Sequence, residues 1–175
     1  PTAAEAYMKR AKIYAVMGRN GEAMQDYNVA ININPNAAIF YDARAKLKAL
    51  ITDYEGAQSD IEKALKLEPF NRIFVEHKAD INMSKQDYAS ALSDLEQLID
   101  SNPNNEDFAL KRVWFEMQAQ DFTKAQSHIN DWLKRNPNSI IGINLKALIL
   151  SEQGQHQAAL SLLSNIIQLK PDIDI

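Results

Sequence analysis

All six prolines of this chain stand in one register, at Pro1, Pro35, Pro69, Pro103, Pro137 and Pro171, each 34 residues after the one before. Proline fixes φ and carries no N–H, so it stops one helix and admits the next wherever it recurs. A proline register of this length marks a tandem repeat whose unit is a helix-turn-helix, stacked into a solenoid.

Small residues recur with the same period. Ala11, Ala45, Ala79 and Ala147 form one column, interrupted by Val113, and Ala23, Ala57, Ala91, Ala125 and Ala159 form another. Small side chains let two helices approach closely. Inside each unit a turn precedes the second column, at Gly18-Arg19-Asn20-Gly21, Thr52-Asp53-Tyr54, Gln86-Asp87-Tyr88, Gln120-Asp121-Phe122 and Gly154-Gln155-His156. Between units stand Asn34-Pro35-Asn36, Glu68-Pro69-Phe70, Asn102-Pro103-Asn104 and Asn136-Pro137-Asn138. Ten helices of about 12 to 14 residues follow from that spacing.

The first unit reads Tyr7-x2-Arg10-Ala11-x2-Tyr14, then Ala23-x3-Tyr27, then Pro35, and the second keeps Tyr41, Arg44, Ala45, Ala57, Ile61 and Pro69. This pattern resembles the tetratricopeptide repeat family, with Tyr in place of Trp and Phe, Arg in place of Leu and Ala in place of Gly. The third to fifth units depart further, placing Val75, Ala109 and Ile143 where the first two carry an aromatic. The resemblance implies an all-α fold, a right-handed superhelical solenoid of five antiparallel helix-turn-helix repeats, at about residues 4–37, 38–71, 72–105, 106–139 and 140–173 of a single domain spanning 1–175. Pro1 and the start of a further helix at Asp174-Ile175 read as the edges of an excerpt from a longer chain.

Composition fits a soluble solenoid, with 46% apolar and 24% charged residues and only five glycines. No apolar run approaches the roughly 18 residues needed to span a bilayer, so no membrane insertion is expected. The absence of cysteine removes disulfides and thiol chemistry and is compatible with a cytoplasmic or a periplasmic location. A basic stripe, Arg10, Arg44, Lys78, Arg112 and Lys146, recurs at the same interval as Asp26, Asp60 and Asp94. It reads as an exposed ion-pair ladder, broken where His128 and Leu162 replace the acid, rather than as a nucleic-acid track.

Catalysis finds no constellation. His77, His128 and His156 fall in separate repeats, so no catalytic residue, metal site or cofactor is assigned. His156 takes the turn position of Tyr54, Tyr88 and Phe122 and is expected to pack, whereas His77 is expected on an open face.

What the resemblance implies is binding, because first helices of such arrays line a groove that holds a peptide or partner helix. Projected onto that face, the groove residues are Lys9, Lys12, Asp42, Lys46, Glu76, His77, Asp80, Leu110, Lys111, Trp114, Met117, Asn144 and Leu148. Its N-terminal part is basic through Lys9, Lys12 and Lys46, its middle acidic through Glu76 and Asp80, and its C-terminal part apolar around Leu110, Trp114, Met117 and Leu148. The family's chaperone-tail clamp uses Lys, Asn, Asn, Lys and Arg over three first helices. Those positions hold Met8, Lys12, Ala43, Ile73 and His77, or one repeat on Asp42, Lys46, His77, Asp107 and Lys111, or one further Glu76, Asp80, Lys111, Ile141 and Leu145, so no chaperone-type carboxylate clamp is expected.

The expected function is therefore a non-enzymatic scaffold for a protein or peptide partner. One alternative is an assembly module that self-associates through its C-terminal end, where Leu160, Leu162, Leu163, Ile166, Ile167 and Leu169 make the last helix apolar around much of its circumference. Another is the substrate-recruiting arm of a larger enzyme. Finally, the column Ala30, Ala64, Leu98, Trp132 and Ile166 grows bulky after the second repeat, which predicts wider helix spacing from the third repeat onward.

Overall fold

The computed structural model of the chain describes residues 2–169, with the side chains of Ile166, Gln168 and Leu169 left aside. Pro1, Pro171, Asp174 and Ile175 lie outside the described residues. Among those described there are ten helices and no strand: α1 Ala3–Val16, α2 Asn20–Ile33, α3 Ala38–Leu50, α4 Tyr54–Leu67, α5 Arg72–Ser84, α6 Tyr88–Ser101, α7 Glu106–Gln118, α8 Phe122–Arg135, α9 Ile140–Glu152 and α10 His156–Leu169. They fall into two compact units, Pro1–Leu95 and Glu96–Ile175, with the boundary inside α6.

Every hairpin turn is built alike. The residue after the cap of each first helix has positive φ: Gly18 at 73°, Thr52 at 64°, Gln86 at 65°, Gln120 at 60° and Gly154 at 75°. The next N–H then reaches back five residues, Arg19 to the Tyr14 carbonyl at 2.8 Å and Asp53 to that of Lys48 at 2.9 Å, with the same bond at Asp87, Asp121 and Gln155. This left-handed closure satisfies carbonyls that the helix end leaves open. The second helix starts on an aspartate where one is present: Asp53, Asp87 and Asp121 accept from the N–H of Gly56, Ser90 and Lys124. Such capping contributes about 1 kcal/mol per helix. Arg19, at the same position of the first repeat, makes no side-chain cap.

In unit 1 the alanine columns bring helices together. Ala11, Ala23, Tyr27, Ala43 and Leu47 form one buried cluster and Ala38, Ala45, Ala57, Ile61, Ala64, Phe74 and Ile81 another. Unit 2 is packed with larger groups, Val113, Met117, Ile129, Trp132 and Ile149 around Ala109 and Ala125. α1 packs on α2, α3 on α4 and α7 on α8, with Trp132 buried at the position where the first two repeats carry Ala30 and Ala64.

The periodic ion pairs lie inside the first three hairpins, and their acids are buried rather than exposed. Arg10 grips Asp26 through Nε and Nη2 at 2.6 and 2.7 Å, and Arg44 grips Asp60 likewise at 2.7 and 2.6 Å. Lys78 reaches Asp94 at 2.7 Å. The Arg10 guanidinium holds Asp26 below the ordinary carboxylate range, and Asp60 raises the Arg44 guanidinium above its own. A buried carboxylate makes loss of its partner more costly than loss of a surface pair. The sequence expectation of an exposed ladder is corrected on this point. So is that for His156, which is exposed, with Nδ1 3.5 Å from Ser151 Oγ.

Candidate functional site

First helices α1, α3 and α5 of unit 1 pack in sequence, α1 on α3 and α3 on α5. Between α3 and α5 opens a cleft of about 550 Å³ lined by Lys46, Ala49, Leu50, Thr52, Tyr54, Glu76, His77, Asp80, Ile81 and Ser84. Four of the expected groove residues, Lys46, Glu76, His77 and Asp80, therefore share one concave space. Asp42 lies beneath it, buried, and accepts from His77 Nδ1 at 2.6 Å. On the other side of the ring, Lys46 Nζ stands 3.4 Å from His77 Nε2. An ammonium can only donate, so Nε2 is the acceptor and the ring proton sits on Nδ1, donated to Asp42. Buried Asp42 thus orients His77, and His77 braces Lys46. Burial, and then the Asp42 charge, also push the Tyr27 phenol up.

Lys9 and Lys12 are exposed on α1. Thr52, Tyr54 and Ser84 line the cleft but were not among the expected residues. Their signal lay in the register, since Thr52 and Tyr54 belong to the turn that closes the end of α3.

In unit 2, α7 and α9 pack together. Trp114 on α7 is 42% exposed and Leu148 on α9 is 45% exposed, and Asn144 is exposed as well. The Trp114 ring leans on Phe115, with centroids 5.8 Å apart. Leu110 and Met117 are instead buried in the cluster around Val113 and Ile129, so they are core residues and not open anchors. Lys111 is half-buried, its Nζ 5.9 Å from the centre of the Phe115 ring. Among the described residues no group of three or more His, Asp or Glu is placed to hold a metal ion. No helix among them is long and apolar enough to cross a membrane.

Three family models, each described as tetratricopeptide repeat, match residues 4–37, 43–106 and 82–149. The chain belongs to the tetratricopeptide repeat family. Its fold is shared by solved structures of low sequence identity. A MamA fragment, "MamA 41-end from Desulfovibrio magneticus RS-1", superposes with a TM-score of 0.77 at 16% identity, covering 100% of this chain and 99% of that one. A tetratricopeptide repeat protein from Parabacteroides merdae gives 0.78 at 16% identity, covering 94% of this chain and 64% of that one. YrrB, described as a TPR protein with an unusual peptide-binding site, gives 0.64 at 17% identity, covering 95% and 86%. Comparison with curated proteins gives no match. Tetratricopeptide repeats are in general protein-interaction modules, and the ten helices here form such a scaffold.

Proposed function

We propose that this tetratricopeptide array is a non-enzymatic scaffold that binds a segment of another protein along the faces of its first helices. The observation that carries this reading is the α3–α5 cleft, a concave space lined by charged, polar and apolar side chains with a buried residue, Asp42, fixing the groups above it. Pockets with a few oriented polar groups among apolar walls are the usual form of a recognition site. Trp114 and Leu148 give the first-helix face of unit 2 two exposed apolar anchors, and large aromatics dominate binding energy where a partner covers them. The fold relative YrrB, by its description, has a peptide-binding site, which agrees with this use of the scaffold.

The test is a binding isotherm with a partner isolated from the source organism. Trp114→Ala and Leu148→Ala should weaken it by about 1 to 2 kcal/mol each through faster dissociation, whereas Lys63→Ala and Gln126→Ala on second helices should leave it unchanged. The reverse pattern would remove the first-helix face as the binding surface.

A second reading, an assembly module, rests on α10, where Leu160 and Ile167 are largely exposed. Light scattering over a range of concentrations decides it: a constant monomer mass removes self-association through this helix.

A further inference from the structure

Several cations of unit 1 already have an acid. Arg10, Arg44, Lys48 and Lys78 serve the buried aspartates, Arg19 pairs with Glu22 and Lys85 with Glu55. Lys12 and Lys46 differ. Both are exposed, neither has a carboxylate partner, and they occupy the same register of adjacent first helices, 34 residues apart. Lys46 has one contact, to His77 Nε2, and it leaves two of its three N–H donors for the cleft. One helical turn further along each helix stands a large apolar residue that nothing covers, Val16 at 90% exposure and Leu50 at 68%. Two ammoniums and two apolar side chains thus form parallel rows across α1 and α3.

We propose that this face reads an extended acidic segment of a partner protein, with two carboxylates three residues apart received by Lys12 and Lys46 and apolar neighbours seated on Val16 and Leu50. The proposal rests on the first-helix reading above and names the partner's chemistry. The spacing follows from dimensions. Packed helices lie about 8–10 Å apart, and an extended chain in the polyproline II conformation advances about 3.1 Å per residue and returns every third side chain to the same side, so residues three apart span the distance between helices. The apolar row lies about 6 Å along the helix axis from the lysines, four residues at 1.5 Å each, within reach of side chains on the same segment. The next first helix ends the pattern, because the register of Lys12 and Lys46 is occupied on α5 by Asp80 and that of Val16 and Leu50 by Ser84. Asp42 and His77 act as positioning groups, holding the Lys46 ammonium over the cleft instead of letting it swing to solvent.

The experiment is fluorescence anisotropy of the whole chain with short labelled peptides, each carrying two glutamates three residues apart and a leucine beside each. This peptide should bind, and its affinity should fall with added salt, because exposed charges are screened. Variants with the glutamates adjacent should bind several-fold more weakly. Lys12→Glu and Lys46→Glu should each weaken binding by about tenfold or more, and a peptide with lysine in place of one glutamate should regain affinity for Lys46→Glu. Circular dichroism checks that these exposed substitutions leave the helices intact. No binding at millimolar peptide, indifference to spacing, or indifference to both lysine changes would each overturn the proposal. If the lysine changes are silent while Trp114→Ala still weakens an isolated partner, the acidic specificity falls and the first-helix reading stands. If only second-helix changes matter, both fall.

Discussion

His128 Nδ1 lies 2.7 Å from Glu116 Oε1, and the pair is an exchange of charge across one hairpin. In the third repeat Asp94, on the second helix, accepts from Asn82 at 2.8 Å on the first. In the fourth repeat the same two positions hold His128 and Glu116, so the buried acid has moved from the second helix to the first and its partner has moved the other way. Arg112, whose counterpart Lys78 grips Asp94, is left with a buried Nε that has no acceptor and only a 3.6 Å approach to Glu96.

The exchange predicts strong coupling. His128→Asp alone sets two acids face to face and should destabilise the chain by about 2 kcal/mol or more. Adding Glu116→Asn rebuilds the third-repeat pattern and gives Arg112 an acid, so the double variant should recover most of that loss. Denaturant unfolding of the two single variants and the double variant measures it. Additive losses, with no coupling beyond about 0.5 kcal/mol, would show that the two positions do not act as a pair.

Three turn residues carry strain. Thr52, Gln86 and Gln120 adopt the left-handed conformation that glycine takes at Gly18 and Gly154. Thr52 is β-branched, which makes this conformation least favourable there. Thr52→Gly should stabilise unit 1 by about 0.5–1 kcal/mol, the relief of strain outweighing the added freedom of the unfolded chain. Gly154→Ala should destabilise. Thermal unfolding of both variants gives the signs.

Acid sensitivity follows from Asp26. Its pKa is depressed from an ordinary value of 3.8 by the Arg10 hydrogen bonds. A depressed carboxylate contributes stability that is complete above its unfolded pKa and disappears as pH falls through the folded one. Asp121, held down by the Lys124 N–H and ammonium, acts in the same direction. Stability should therefore be flat on this account near neutrality and decline below about pH 4. Arg10→Met should move the NMR titration of the Asp26 carboxyl to higher pH and narrow the acid-stable range. An unchanged Asp26 titration would contradict the pairing.

Trp132 fills the space that Ala30 and Ala64 leave small in the first two repeats, and it is buried. Trp132→Ala should cost about 3–5 kcal/mol. A loss under about 1 kcal/mol, read from denaturant unfolding, would mean that α7 and α8 close up over the vacancy.

The proline register, the alanine columns and the aspartates at the turns made the ten helices and their order legible from residues alone. The candidate site was less so. Leu110, Trp114 and Met117 lie on one stripe of α7, and projection onto a helix puts all three toward the groove. At about 100° per residue, however, Leu110 and Met117 fall on the side of that stripe nearest Val113 and the core, while Trp114 lies about 40° beyond Leu110. That difference separates burial from 42% exposure, and no sequence pattern sets the centre of the buried arc. Asp42 was likewise placed in the groove by register, but it lies buried beneath the cleft, hydrogen-bonded to His77. Glu116 gave no periodic signal at all, because its role depends on a histidine twelve residues later.

The most direct measurement is site-resolved photo-crosslinking of the isolated partner, with a photoreactive residue placed in turn at Lys46 and Trp114 on first helices and at Lys63 and Asp131 on second helices. Crosslinks from the first pair, with none from the second, are the expected result. Crosslinks confined to positions 63 and 131 would contradict a binding surface on the first helices.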